Sequence, residues 1–261
     1  MKKLFFFIGV LLFIAACSPY QKALKSEDYN YKLVVIDTLM KKGKYTKSID
    51  LFEQVLPKFR GTDSAAIVQI KYADALFGEK NYPNSAYQYE RFVSSYPTDK
   101  QRERAAFMAA RSHYEMSPVY SKDQTDTRVA LAKLQDYINS NPDGEYAVQA
   151  NELTTELRYK LDKKAFKIAK NYHHREAFVP AIATFENFIV DHPGSDYQDD
   201  AHFYLLDSEY RYAIKSQTAK VQERLDIATK YYNNFIKRYP DSEYRGDADE
   251  IMEKIETFES N

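Results

Sequence analysis

The side chains that could perform chemistry are few and scattered along this chain. Its histidines are His113, His173, His174, His192 and His202. No two of them flank a Glu at four-residue spacing, and none stands in a carboxylate cluster typical of a metal site. His173 and His174 are interpreted as a solvated cation pair at a helix end, and His192 as a packing residue. The sequence also lacks a G-x-S-x-G elbow and a phosphate-binding glycine loop, so we do not expect an enzyme.

The single cysteine follows an apolar N-terminal segment. Lys2 and Lys3 precede the run from Leu4 to Phe13, which is too short to cross roughly 30 Å of hydrocarbon. The next four residues, Ile14-Ala15-Ala16-Cys17, resemble the bacterial lipobox. This resemblance implies a signal peptide over residues 1–16, cleavage between Ala16 and Cys17, and covalent lipid on Cys17. The alternative is an ordinary secretory signal with an incidental cysteine. No cofactor other than the lipid is expected.

Residues next to Cys17 bear on location and partners. Ser18 rather than Asp after the cysteine favours the outer membrane by analogy with the enterobacterial sorting rule. Residues 17–28 are interpreted as a lipidated tether; they open without an acidic run, which favours a periplasm-facing protein. The formal net charge is −1, so no strongly basic face is predicted and nucleic acid is not an expected partner.

The same ladder of residues occurs five times. A small residue is followed by an aromatic residue or Leu at +4 and by an apolar pair at +7 and +8. Proline stands at +12 in four of the five copies. Offsets of 4, 7 and 8 share one helical face, and proline ends each helix. The copies start at Ser48, Ser85, Ala130, Ala181 and Ala228.

Each ladder is predicted to be the second helix of a pair. The fold class is therefore all-α: an α-solenoid of five tetratricopeptide-like helix pairs plus a C-terminal capping helix. The repeats divide into residues 29–142, copies one to three, and residues 143–261, copies four and five with the cap. The predicted helices are 29–42 with 45–59, 64–77 with 82–96, 101–116 with 128–141, 146–172 with 177–191, 198–215 with 220–239, and 245–259.

The linkers between later copies share a pattern. A short acidic turn leads to Tyr146, Tyr197 and Tyr244, which we expect to wedge between repeats. Glycines at the breaks are expected to supply left-handed or tight backbone. The polar segment Ser117–Thr127 interrupts copy three; it is either a flexible surface loop or a partner-contacting loop.

Without catalytic residues, function is expected on the surface of the repeats. If Ala73 and Ala110 are small contact positions, their neighbours face a groove suited to an extended segment ending in an aromatic residue and a carboxylate. For Phe77 and Phe107 the alternative is inter-repeat core. The acidic terminal helix is either the polar face of a cap or a docking surface for a basic partner. The candidate groove residues are Asp74, Phe77, Phe107, Arg111 and Tyr114.

Lipobox and repeats together resemble the BamD family, the lipoprotein subunits of the outer-membrane β-barrel assembly machinery. The resemblance is carried by Cys17 after Ile14-Ala15-Ala16, by the run Gly43 to Ile49, and by the interrupted third repeat. It is also carried by the repeated aromatic-to-proline elements Phe92 to Pro97, Phe188 to Pro193 and Phe235 to Pro240.

The resemblance implies a periplasm-facing lipoprotein of the outer membrane that works by binding. Its N-terminal repeats would receive unfolded outer-membrane proteins through their C-terminal strand signals. Its C-terminal repeats would dock on the barrel-forming BamA subunit, with other assembly lipoproteins as further partners. Two alternatives stay open. One is a periplasmic scaffold for another envelope machine, such as cell-wall synthesis; the other is a cell-wall enzyme, which would need an added catalytic domain.

Overall fold

The computed structural model describes residues 18–259, and within that range it contains twelve helices and no strand. The predicted signal peptide, the cleavage position between Ala16 and Cys17, and the acylated thiol lie outside the described residues. Between residues 18 and 259, no helix combines the length and apolarity needed to cross a membrane.

Eleven of the helices follow the predicted order. The fold class, an all-α series of tetratricopeptide-like helix pairs with a capping helix, is confirmed. The helices are α1 Pro19–Lys25, α2 Tyr29–Lys41, α3 Tyr45–Phe59, α4 Ala65–Gly78, α5 Tyr82–Ser95, α6 Arg102–Met116, α7 Thr125–Ser140, α8 Ala147–His174, α9 Phe178–Asp191, α10 Gln198–Ile214, α11 Thr218–Arg238 and α12 Arg245–Glu259.

Helix α1 lies within residues 17–28, the segment predicted to be a lipidated tether. The Ser18 hydroxyl caps the helix by accepting a hydrogen bond from the Gln21 amide at 3.2 Å. Pro19 occupies the first helical turn, where its missing N–H costs nothing. Ala23 is fully buried in the core around α2 and α3. The first helix of the described residues is therefore packed on the repeats.

The described chain forms two compact units. The first comprises residues up to Pro118 together with Thr125–Thr154, and the second comprises Val119–Gln124 with the residues from Thr155 onward. Helix α8 contributes to both units. The predicted functional division at residue 142 concerns partners rather than packing, and it stays a prediction.

The repeated ladder forms the core in each copy. All five starting residues, from Ser48 to Ala228, are fully buried. The +4 residues are also fully buried except Tyr232, whose hydroxyl donates to Asp249 on α12 at 2.8 Å. At +7 the exposed fraction is 3% or less. The buried +7 residues are Val55, Phe92, Tyr137, Phe188 and Phe235.

Linker tyrosines stack on phenylalanines of the preceding first helix, which confirms their predicted wedge role. The pairs lie in parallel at centroid distances of 4.5 to 4.8 Å, with interplanar angles of 9° to 11°. Offset parallel stacking is a favoured aromatic geometry, so each contact fixes the start of the next repeat. The pairs are Tyr146 with Phe107, Tyr197 with Phe166, and Tyr244 with Phe203.

The glycine prediction holds only in part. Gly43 and Gly61 have φ of 64° and 76°, in the left-handed region. Gly144 does not have a left-handed φ. A side chain has no room there, because an added Cβ would lie 3.0 Å from the Tyr137 hydroxyl and even closer to Glu103. Two breaks place a non-glycine residue in the left-handed region, Lys80 at φ 64° and Glu176 at φ 57°.

His173 is not the solvated cation predicted from its place at a helix end. Its exposed fraction is 6%, and its Nδ1 lies 2.9 Å from Ser208 Oγ. Its Nε2 lies 3.2 Å from Asp207 Oδ2, and Arg211 also donates to that carboxylate. The hydrogen bonds from His173 and Arg211 outweigh burial and lower the pKa of Asp207. His192 does pack as predicted, stacked on Phe188 at 4.9 Å.

The segment Ser117–Thr127, which interrupts copy three, makes hydrogen bonds and a ring contact in its middle part. The buried amide of Gln124 donates to the carbonyls of Val119 and Lys122 at 3.0 and 2.9 Å. Within the second unit, Lys164 Nζ donates to the Lys122 carbonyl, and Lys163 lies 5.1 Å from the Tyr120 ring centroid. The segment was expected to be either a flexible surface loop or a partner-contacting loop. These contacts favour an ordered segment over a flexible loop.

Candidate peptide-binding site

All five predicted groove residues lie on the first helices of copies two and three, in the first unit. Asp74 and Phe77 belong to α4, and Arg111 and Tyr114 belong to α6. All four are partly exposed. The small residues Ala73 and Ala110 beside them are buried, as the pattern predicts for contact positions.

Asp74 is held by two donors from neighbouring helices. Arg104 Nη2 of α6 approaches its Oδ1 at 2.7 Å, and the Tyr89 hydroxyl of α5 donates to the same oxygen. Burial and the Asp74 charge raise the pKa of the Tyr89 hydroxyl far above its ordinary value. Burial lowers the pKa of Arg104, but the bond to Asp74 more than compensates and leaves it raised. Asp74 is therefore mainly a structural acceptor joining three helices.

Phe77 and Arg111 touch each other across the two first helices. The Arg111 guanidinium lies 5.7 Å from the Phe77 ring centroid, within cation–π range. Tyr82, at the start of α5, also contacts Phe77, edge-on at a centroid distance of 5.4 Å. Arg111 Nε is 3.8 Å from the Glu115 carboxylate, a long ion pair. A cation beside two aromatic rings thus lies on this face.

Phe107 is not part of the exposed face. Its exposed fraction is 1%, and it packs between Tyr137 at 5.6 Å and Tyr146 at 4.7 Å. The structure therefore supports the core alternative for Phe107, because its ring serves as the platform for a linker tyrosine.

Charged pairs also join the first helices of copies one and two. Lys71 Nζ of α4 donates to Asp37 Oδ1 of α2 at 2.7 Å. Together with Asp74 and Arg104, this pair links α2, α4 and α6 on partly exposed positions. Exposed pairs of this kind contribute little to stability, typically about 0–1 kcal/mol. Their larger effect is to place both charge signs along the candidate site.

The groups on this face are suited to recognition of a polypeptide. No group of His, Cys, Asp and Glu in residues 18–259 could hold a metal ion. A guanidinium forms two parallel hydrogen bonds with a carboxylate, and the rings of Phe77 and Tyr82 offer apolar contact. The arrangement suits an extended polypeptide that presents an aromatic side chain and a carboxylate.

Three further residues of this face were not predicted from the sequence. Glu115 stands four residues after Arg111, a spacing that pairs charges on a helix and could have been recognised. Tyr82 and Arg104 come from other helices, and their contacts depend on how the helices pack. No local pattern predicts that.

The acidic terminal helix of the second unit packs one face and exposes the other. Ala248, Ile251 and Ile255 are buried in the core with α10 and α11. On the outside, Lys254 pairs with Glu250 at 2.8 Å, and Phe258 is 49% exposed. Both interpretations, a polar cap and a docking surface, are compatible with this division.

Comparisons with known proteins agree with the architecture. The model of the YfiO family, described as an outer membrane lipoprotein, matches residues 31–225 and 179–258. Three similar proteins are each named outer membrane protein assembly factor BamD. The relative from Caulobacter vibrioides is 24% identical over 169 residues, 64% of this chain and 55% of that protein.

The other two relatives are covered more fully. The protein from Rickettsia prowazekii is 21% identical over 216 residues, 83% of this chain and 80% of that protein. The protein from Pasteurella multocida is 23% identical over 209 residues, 74% of this chain and 79% of that protein. The match thus spans about half of the Caulobacter relative and about four fifths of the other two.

Proposed function

Because this chain belongs to the YfiO family of outer membrane lipoproteins, we propose that it is an anchored scaffold that helps β-barrel proteins assemble into the outer membrane. Its relatives carry the name of an assembly factor, and the chain matches them over long stretches. The observation that carries the mechanism is the contact of Arg111 with Phe77, a cation beside an aromatic ring on the partly exposed α4–α6 face.

In this proposal the first unit captures unfolded barrel substrates. An extended C-terminal strand would place its aromatic side chain against Phe77 and Tyr82 and its carboxylate on Arg111. Tyr114 contributes a further polar contact. The reaction is binding and handover, without bond chemistry.

Acylation of Cys17 completes the proposal. Lipid on this residue would hold the protein on the periplasmic leaflet of the outer membrane. Stable anchoring takes more than one acyl chain, as a lipobox cysteine with an acylated amino group would provide. Restriction to the membrane surface raises the effective concentration of a captured substrate at the insertion site.

The peptide test uses the mature chain with Cys17→Ser and a fluorescent peptide from the C-terminus of a barrel protein. The double variant R111A/Y114A is expected to bind at least about tenfold more weakly, since a charge-assisted hydrogen bond contributes about 1.5–3 kcal/mol. The matched control is Y87A/R91A, because Tyr87 and Arg91 are exposed on the second helix α5. Unchanged peptide affinity in R111A/Y114A, with normal circular dichroism, would reject this site.

The second half of the chain, residues 143–261, is proposed to dock on the BamA-like barrel subunit and on other assembly lipoproteins. The partly acidic outer face of α12 and the exposed Phe258 support this assignment. Affinity purification of the acylated protein from membranes should recover the barrel-forming subunit, and Glu253→Lys should reduce its yield. Recovery of a cell-wall synthesis complex instead would support the alternative scaffold function.

A further inference from the structure

The turn between α2 and α3 is strongly basic. Residues 39–47 contain Lys41, Lys42, Lys44 and Lys47 and no acidic residue, in a chain whose formal net charge is −1. These four residues, the turn lysines, are all exposed. No carboxylate of residues 18–258 lies within ion-pair distance of any of them. Their charge is therefore not neutralised by a close ion pair within the described chain.

Two acidic residues come near this turn, and each accepts a hydrogen bond from a hydroxyl. The Tyr20 hydroxyl donates to Asp50 Oδ2 at 2.6 Å, and the Thr46 hydroxyl donates to Glu79 Oε2 at 3.0 Å. The four lysine side chains themselves remain exposed.

Helix α1 lies beside the same turn. Lys47 Nζ lies 5.1 Å from the Tyr20 ring centroid, and a surface depression is lined by Tyr20, Lys44, Thr46, Lys47 and Asp50. Because Ala23 is buried against α2 and α3, α1 cannot swing away without exposing core. The N-terminal end of α1 is thus fixed near the turn lysines.

Ser18, the cap of α1, is covalently next to Cys17. Tyr20 is three residues from the proposed acylation site, so the two lie within about 11 Å even for a fully extended chain. An acyl chain inserted in a bilayer would therefore bring the turn lysines to the level of the lipid headgroups. A long flexible tether would not have this effect.

We propose that the turn lysines form a docking surface for the phosphate-bearing headgroups of anionic phospholipids. This inference extends the proposed lipid anchoring: acylation supplies attachment, and the lysines set which end of the first unit faces the membrane. A lysine near an anionic surface strengthens binding roughly fivefold, and the effect falls with salt because the attraction is screened.

The test uses the full mature chain with Cys17→Ser, so that the acyl chains do not hide the electrostatic contribution. Co-sedimentation is measured with vesicles of phosphatidylcholine alone and of phosphatidylcholine with phosphatidylglycerol, at low and high salt. Binding is expected only to the phosphatidylglycerol vesicles and is expected to weaken as salt rises. The variant K41Q/K42Q/K44Q/K47Q should bind at least about tenfold more weakly.

The matched control removes the same charge from exposed lysines of the second unit. It carries K220Q, K230Q, K237Q and K254Q and should bind the vesicles as the parent protein does. Equal losses in both variants, or no loss in the first, would overturn the proposal. Competition by inorganic phosphate beyond its ionic-strength effect would also overturn it, because the surface would then be a site for free phosphate.

A second measurement uses the acylated protein in vesicles. An amine-acetylating reagent should label the turn lysines less on phosphatidylglycerol vesicles than on neutral ones, while labelling of Lys230 and Lys237 stays constant. Equal labelling on both vesicle types would contradict the proposed orientation. Peptide binding by the lysine variant is expected to be normal, so failure of membrane docking can be told apart from failure of the substrate site.

Discussion

The ring of Tyr244 lies flat on the ring of Phe203, with centroids 4.5 Å apart and planes 9° from parallel. The Tyr244 hydroxyl donates to Asp200 Oδ1 at 2.8 Å, so one side chain makes both an apolar and a polar contact. The tyrosine thereby joins the linker after α11 to the first helix of the same repeat, α10.

Replacing this tyrosine tests how much the contact contributes to stability. Tyr244→Ala is expected to lower the free energy of unfolding by about 2–4 kcal/mol, because it removes a large ring from a packed site. Tyr244→Phe keeps the ring and should cost only about 1 kcal/mol for the lost hydrogen bond to Asp200. Urea unfolding followed by circular dichroism measures both. Equal costs for the two variants would show that stacking is not the main contribution.

The titration of Glu209 is expected to give the stability of the folded protein an unusual dependence on pH. Burial and the nearby Glu186 carboxylate raise its pKa from 4.5 to about 7, although Arg224 opposes the shift. The folded state therefore holds this proton more tightly than the unfolded state, and its stabilising effect is lost as pH rises from about 4.5 through 7. Glu209→Gln, which mimics the protonated form, should stabilise the protein by about 2–3 kcal/mol at pH 8 and little at pH 4.

Thermal unfolding across this pH range provides the measurement. Glu223→Gln is the matched control, because Glu223 is exposed and pairs with Lys220 at 2.8 Å. That control should change the unfolding temperature little at either pH. A stabilisation of Glu209→Gln that is independent of pH would reject the titration of Glu209 as its cause.

Gly144 is expected to tolerate no side chain. Glu103 Oε1 accepts from the Tyr137 hydroxyl and from the Glu145 amide, at 3.0 and 2.7 Å, and an alanine Cβ would displace it. Gly144→Ala should therefore destabilise the protein by about 1–3 kcal/mol. Gly194, in the following linker, has open space around it, so Gly194→Ala should stay within about 0.5 kcal/mol of the parent. Comparable losses in the two variants would contradict the steric explanation.

The buried contact of His173 with Asp207 is open to a double-mutant cycle. His173→Ala leaves Asp207, whose side chain is 11% exposed, with fewer donors, and should cost about 2–4 kcal/mol. Asp207→Ala in the same background should restore part of the loss, giving a coupling of about 1–3 kcal/mol. Additive costs measured by urea unfolding would show that the two side chains act independently.

Repeat periodicity accounts for most of what could be predicted. The burial of Ser48 and Ala228 could be predicted because the same helical face is repeated along the chain. The packing of the linker tyrosines between repeats could be predicted from their shared position. His173 could not be predicted, because its partners Asp207 and Ser208 come from another helix. A residue near a helix end looks solvated until the packing of the neighbouring helix is known.

The candidate site shows the same limit. Position relative to Ala73 and Ala110 predicted that Asp74, Phe77 and Arg111 share one face, and all three are partly exposed there. It also included Phe107, since helical periodicity does not distinguish a groove position from one covered by a linker ring. The covering residue, Tyr146, is far along the sequence, and no local signal connects the two.

Stacked rings at the three later junctions have a consequence for how this protein can vary. At each junction one flat contact holds the residue just before a helix against the preceding first helix. The long segment before α7 lies between Phe107 and Tyr146 in the sequence, and the two rings still stack at 4.7 Å. A junction of this kind therefore does not require one fixed linker length.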